Sequence, residues 1–203
     1  VLSDSQFQAL SAMSDADFRS ATLSLVYADG DLESAIRRLN AQALQAVRDG
    51  AVILVLSDRD IAQSRRYIPA LMAVGAVHHA LIDAGLRTHC NLIADTASAR
   101  DSHHFACLIG YGATAVYPYL AYAVIRELAS TGHFKKQTAL DKALASYRKG
   151  IDKGLYKIIS KMGISTIASY RGAQLFEAIG LDQQIVDLCF PGTVSRLAGA
   201  SFG

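Results

Sequence analysis

The sequence predicts an α/β fold: a parallel sheet flanked by helices, partial or degenerate β/α-barrel-like, with a helical C-terminal extension. Three observations carry that reading. Between Thr22 and Val116, apolar runs of strand length alternate with stretches of helical period. One run, Ala51-Val-Ile-Leu-Val-Leu56, has no polar face, as expected for a strand covered on both sides in a parallel sheet. After Pro118 the strand-like runs stop and glycine-punctuated amphipathic segments replace them. The resulting β-α-β-α-β-α-β order calls for parallel strands joined by right-handed crossovers.

The first predicted strand covers residues 22–28 and is closed by the turn-forming Asp29, Gly30 and Asp31. Leu32, Ile36, Leu39, Ala43 and Val47 then recur at spacings of four and three, and Gly50 stands at the helix stop. Residues 51–56 form the second strand. Pro69 can open the next helix, because its missing N–H is not needed in a first turn, and Gly85 can end it. Leu71, Val74, Val77, His78, Leu81 and Ile82 lie between them. The third strand is residues 88–94, followed by a polar turn and a helix through Phe105, Leu108 and Ile109 to Gly110. A short fourth strand, residues 113–117, ends at Pro118. Residues 119–128 then read as a helix, 130–133 as a break, and 138–149 as another helix with Leu140, Leu144 and Tyr147 on one side. Beyond Gly150, glycines at 154, 163, 172 and 180 mark short segments. The division expected is therefore 1–134 for the parallel α/β part and 135–203 for a helical or irregular extension.

Composition narrows the functional classes. A chain of 203 residues with 51% hydrophobic content can bury a substantial core. A formal net charge of only +2 forces no broad basic surface for nucleic acid or anionic lipid. No apolar run reaches the roughly 20 residues needed to span a bilayer, so a soluble, cytoplasmic protein without membrane partners is expected. The opening Val1-Leu2 lacks an initiator Met, which suggests a segment of something longer. Cys90, Cys107 and Cys189 are odd in number and widely spaced, and read as reduced core thiols.

In a parallel α/β sheet, ligands bind beyond the C-terminal ends of the strands. The loops there carry Ser57, Asp58, Arg59 and Asp60, then Asp95, Thr96, Ala97 and Ser98, then Tyr117, Pro118 and Tyr119. Ser57, Arg59, Thr96 and Ser98 make a candidate anion site, assisted by N–H groups of the following helices. The alternative is that Asp95, Thr96 and Ser98 cap a helix and tie the turn. Adjacent histidines, His78-His79 and His103-His104, point about 100° apart on a helix and seldom share one metal ion. Cys107 lies on an apolar helix face without an obvious base. No catalytic or metal-ligating residue is assigned, and neither a Walker A nor a Gly-x-Gly-x-x-Gly pattern is present.

Residues 94–116 resemble the seventh-strand region of flavin-binding β/α barrels, with Thr96 and Ala97 in place of the paired glycines that let backbone approach the flavin phosphate. Side chains there hinder that approach, so a barrel-like scaffold with a degenerate phosphate site is inferred. Larger stretches resemble the large (alpha) chain of bacterial NADPH-linked glutamate synthases. They are Asp49-Gly-Ala-Val-Ile-Leu-Val-Leu-Ser-Asp-Arg59, His103-His-Phe-Ala-Cys-Leu-Ile-Gly-Tyr-Gly-Ala-Thr-Ala-Val-Tyr-Pro-Tyr-Leu-Ala121, Gly154-Leu-Tyr-Lys-Ile-Ile-Ser-Lys-Met-Gly-Ile-Ser-Thr166 and Ser169-Tyr-Arg-Gly-Ala-Gln-Leu-Phe-Glu-Ala-Ile-Gly180. Phe190-Pro-Gly-Thr-Val-Ser-Arg-Leu-Ala-Gly199 departs from the family's wording.

The resemblance implies a piece of an enzyme that moves the amide nitrogen of glutamine onto 2-oxoglutarate, using FMN and iron–sulfur clusters held elsewhere. It places this chain in the latter part of the central domain, approaching the FMN barrel. Its expected partners are the amidotransferase and FMN-barrel domains of the same parent chain, and no cofactor is expected in the segment itself. The leading expectation is a scaffold that links those domains and is not catalytic alone. The alternatives are an independent flavin- or phosphorylated-ligand-binding domain, or a module that self-associates when excised.

Overall fold

The computed structural model describes residues 1–15, 17–28, 30–60, 66–133 and 140–202. The chain begins with helix α1 (Asp4–Ser11), opened by a capping box in which Ser3 and Gln6 each bond the other's backbone N–H. Strand β1 (Ser20–Ser24) follows. The predicted run 22–28 divides at Leu25: Val26–Tyr27 forms a separate short strand, β2. Buried Leu25 donates its N–H to Ser57 O at 2.8 Å and its carbonyl accepts from Ile68 N at 2.9 Å, so the backbone turns away from β1's line. Asp29 of the predicted turn lies outside the described residues.

Helix α2 (Leu32–Arg48) is capped by Asp31 and buries Ala35, Ile36, Leu39, Ala43 and Val47, the face that the sequence period marks. Strand β3 (Ile53–Ser57) is buried throughout. Strand β4 (Arg66–Tyr67) pairs antiparallel with β2. Helix α3 (Ala70–Asp83) starts after Pro69. The predicted third strand loses its first residues to a 3₁₀ turn over Arg87–His89, and β5 begins at Asn91 and runs to Asp95. Arg87 holds that turn through the Cys90 carbonyl at 2.7 Å, the Gly112 carbonyl at 2.8 Å and His78 Nδ1 at 2.8 Å. Helix α4 (Ser102–Gly110), strand β6 (Ala115–Tyr117) and helix α5 (Tyr119–Ser130) complete this part.

The strands lie in the order β1-β3-β5-β6, and every pair is parallel. One face carries Leu54, Leu56, Leu92, Ala94 and Val116 into a core shared with α2, α3 and α4. The opposite face carries Ile53, Val55 and Ile93, against which Leu2, Phe7 and Leu10 pack. Helices on the outer face and α1 on the inner one give an open, partial β/α barrel. Because opposed residues in a parallel ladder point to the same side, register aligns Ser24, Ser57, Asp95 and Tyr117 in one row at the strands' C-terminal ends.

Helix α6 (Leu140–Lys161) runs far past the predicted stop at residue 149. It passes Gly150 and Gly154 because Ile151, Leu155 and Ile159 bury a continuous stripe. Gly154 has a packing role, since a Cβ there would lie 1.9 Å from Ser102 Oγ on α4. Residues 134–139, which hold the predicted boundary and the predicted start of this helix, lie outside the described residues. After the short α7 (Ile167–Tyr170) comes a unit without a counterpart in the sequence reading. Strand β7 (Glu177–Leu181), helix α8 (Gln183–Cys189) and strand β8 (Val194–Ala200) form a parallel pair with a helical crossover. Tyr170, Ala178, Ile185, Val186, Cys189 and Phe190 enter the main core.

Candidate functional site

The row of polar residues at the C-terminal ends of β3, β5 and β6 develops into two linked clusters. In the first, buried Asp95 accepts from Ser57 Oγ and from Arg59 Nε through the same oxygen, Oδ2, at 2.7 Å each. Its other oxygen, Oδ1, has no hydrogen-bond partner. Burial pushes the Asp95 carboxyl above its usual range, and the bonds from Arg59 and Ser57 only partly oppose that. Burial lowers the Arg59 pKa, but Asp95 more than restores it, so the guanidinium stays charged. That guanidinium lies over Tyr119, Tyr117 and Phe7, with its carbon 4.4, 5.2 and 5.6 Å from the ring centres.

In the second cluster, Asp58 is 1% exposed and accepts the Thr96 hydroxyl at 2.6 Å and the Ala97 N–H at 3.0 and 3.3 Å. Thr96 Oγ1 also accepts the Ser98 N–H at 3.1 Å and lies 2.9 Å from Ser98 Oγ. The backbone joins the clusters, since Asp58 N donates to Asp95 O at 3.2 Å and Thr96 N to Tyr117 O at 3.1 Å. Tyr119 is raised well above a phenol's ordinary pKa by burial and by the neighbouring Asp58.

The four anion-site candidates are therefore brought together, but as two pairs with acidic partners: Ser57 and Arg59 on Asp95, Thr96 and Ser98 on the Asp58 side. The free N–H groups at the start of α4 do not join them, because Asp101 Oδ1 takes those of His103 and His104 at 3.0 and 3.2 Å. Helix capping thus belongs to Asp101, and Thr96 and Ser98 tie the turn.

Sequence reasoning missed the contribution of the N-terminal segment. Asp4 accepts from both Tyr117 and Arg126, Phe7 stacks on Tyr117 with ring centres 4.2 Å apart, and Tyr122 Oη donates to Leu2 O at 2.6 Å. The capping-box spacing of Ser3 and Gln6, followed by Phe7 and Leu10, was the available signal. Arg126 pairs with Asp4 and Arg59 with Asp95, while Asp58 is held by Thr96 and Ala97.

The histidine pairs make no metal cluster, and no group of three or more possible ligands occurs among the described residues. Cys107 does have a histidine neighbour, His103 Nε2 at 3.6 Å one helical turn away. Burial nevertheless pushes its thiol up to about 11, which keeps it protonated at neutral pH. No described helix is long and apolar enough to cross a membrane.

Comparison with known proteins follows the same direction as the motifs. Residues 1–182 match the family described as "Glutamate synthase central domain". The NADPH glutamate synthase large chain of Bacillus subtilis is 42% identical over 199 residues, covering 98% of this chain and 13% of that protein. Ferredoxin-dependent glutamate synthase 2 of Synechocystis is 46% identical over 205 residues, covering 94% of this chain and 13% of that protein. Ferredoxin-dependent glutamate synthase 1 of Arabidopsis thaliana is 46% identical over 184 residues, covering 86% and 11%. This chain thus corresponds to a small part of the length of each.

Proposed function

The chain belongs to the glutamate synthase central-domain family, and from that premise we propose that it is a scaffold segment of a glutamate synthase, linking an amidotransferase domain to an FMN barrel. In this reading the parent enzyme uses glutamine, 2-oxoglutarate and reductant to make glutamate in the cytoplasm, with FMN and iron–sulfur clusters bound outside the segment. The sheet spaces the two catalytic domains and helps wall the passage for ammonia. The relatives' names include both NADPH and ferredoxin as reductant, and the NADPH-linked type is the assignment proposed.

One observation carries the scaffold role: the strand ends where a ligand would bind are filled by the protein's own groups, with Asp95 engaging Ser57 and Arg59, and Asp58 engaging Thr96 and Ala97. A phosphorylated ligand at Ser57, Arg59, Thr96 and Ser98 would meet two buried carboxylates and would have to displace them. The purified chain is expected to be colourless and to make no glutamate from glutamine and 2-oxoglutarate. Copurifying flavin seen in the absorption spectrum, or turnover by this chain alone, refutes the reading.

Docking by a neighbouring domain also accounts for an apolar surface on the C-terminal unit. Ile179 and Leu197 are opposed in the β7–β8 register and are 71% and 62% exposed. Parallel sheets ordinarily have both faces covered. In the parent chain a neighbouring domain covers this face, and in the excised chain it favours self-association. Solution mass measured against concentration tests that second part.

A further inference from the structure

We propose that the turn at residues 96–98 is a receptor for a single small carboxylate and that its resident ligand is the side chain of Asp58, delivered from the neighbouring strand-end loop. The donors belong to the turn and the acceptor does not. Thr96 Oγ1 donates to Asp58 Oδ2 at 2.6 Å, and the Ala97 N–H reaches Oδ1 at 3.0 Å and Oδ2 at 3.3 Å. These bonds join residues 38 and 39 positions apart, whereas the capping bonds accepted by Asp31, Asp101 and Asp182 join residues two or three apart. Asp58 therefore meets this turn across the fold, as a separate molecule would.

The receptor is built independently of that ligand. Thr96 Oγ1 accepts the Ser98 N–H at 3.1 Å and lies 2.9 Å from Ser98 Oγ, while the hydroxyl's single proton goes to Asp58. Thr96 is fully buried, which shields the cradle from competing water. The Arg59 guanidinium is committed elsewhere, its Nε donating to Asp95. Neutral donors hold the Asp58 carboxylate, and the same donors would hold formate once the side chain is removed. This divides the four-residue cluster: Thr96 and Ser98 are the receptor, while Ser57 and Arg59 belong to Asp95.

The test is chemical rescue in the 203-residue chain, with formate as the probe and chloride at matched ionic strength as the control. Asp58→Ala is expected to unfold at a lower temperature in chloride and to regain part of the loss in a saturable response to formate. Wild type and Asp58→Asn, whose cradle is still filled, should show no formate-specific shift. Adding Thr96→Val to Asp58→Ala should abolish the response. A formate response in wild type equal to that of Asp58→Ala overturns the proposal, as does a folded Asp58→Ala that does not respond. Should that variant be too unstable to purify, refolding yield from urea replaces the melting temperature. Equal yields in formate and chloride then refute the idea.

Discussion

Replacing Gly75 with Ala tests how the C-terminal unit is seated. Gly75 lies in the buried stretch of α3, and a Cβ there would stand 2.1 Å from the Cys189 carbonyl oxygen and 3.1 Å from Phe190 Cδ1. Carbon and carbonyl oxygen ordinarily come no closer than about 3.3 Å, so α8 would have to withdraw by roughly 1 Å. The atom in the way is backbone, which cannot swing aside as a side chain can. Overpacking of this kind costs about 1–3 kcal/mol. The substitution also gains the better helix propensity of Ala, about 0.8–1 kcal/mol. Gly150→Ala isolates that gain, because Gly150 is exposed within α6 and an added Cβ meets nothing within 4 Å. Urea unfolding should show Gly150→Ala stabilised by up to about 1 kcal/mol. Gly75→Ala should fall below it by about 1–3 kcal/mol, with the denaturant slope unchanged in both. If the two variants are stabilised equally, α8 does not rest on α3 through this glycine.

Leu54 is fully buried in β3, so Leu54→Ala should cost about 2–5 kcal/mol, and an unchanged urea midpoint would argue against its core position. His78 is held neutral: burial first, then Arg87 beside it, lower its pKa from 6.5 to about 4. The unfolded chain therefore binds the extra proton between those values, and stability should fall as pH drops from 6.5 towards 4, by about 1–2 kcal/mol once solvent screening of this half-buried ring is allowed for. His78→Asn, which keeps an acceptor for Arg87, should flatten that part of the profile; an identical slope in wild type and variant would exclude His78 as its source. Hydrogen exchange should be slower at Leu54, Val55 and Leu56 than across β7, whose two-stranded sheet exposes Ile179 and Leu197. Equal protection in a demonstrated monomer would contradict the view that β7 and β8 depend on a neighbour.

The site was only partly legible in the sequence. The rule that ligands gather at strand ends identified Ser57, Arg59, Thr96 and Ser98 as neighbours, and the structure brings them together. It could not identify their partners. Whether Arg59 faces an external anion or Asp95 depends on the alignment of β3 with β5, where Ser57 opposes Asp95. That alignment joins residues 38 apart, and no local pattern encodes it. Asp4 and Phe7 were further from reach, since they come from α1 on the sheet's inner face and meet Tyr117 and Arg126 more than 100 positions later in the chain.

Local periodicity by itself determined α2, α3, α4 and the parallel α/β class, because buried stripes at spacings of three and four, unbroken aliphatic runs and Pro or Gly punctuation act within a single element. Ala35, Ile36, Leu39, Ala43 and Val47 face the core for that reason. Tertiary contacts decided the rest. The predicted strand broke at Leu25 because Ser57 and Ile68 claim its two backbone groups. Helix α6 passed Gly150 and Gly154 because burial of Ile151, Leu155 and Ile159 outweighs a helix cost of about 1 kcal/mol per glycine. Strands β7 and β8 formed where glycine spacing suggested only short segments, since α8 finds its seat on Gly75. In each case the deciding energy is a contact between segments distant in sequence, and a local pattern has no term for it.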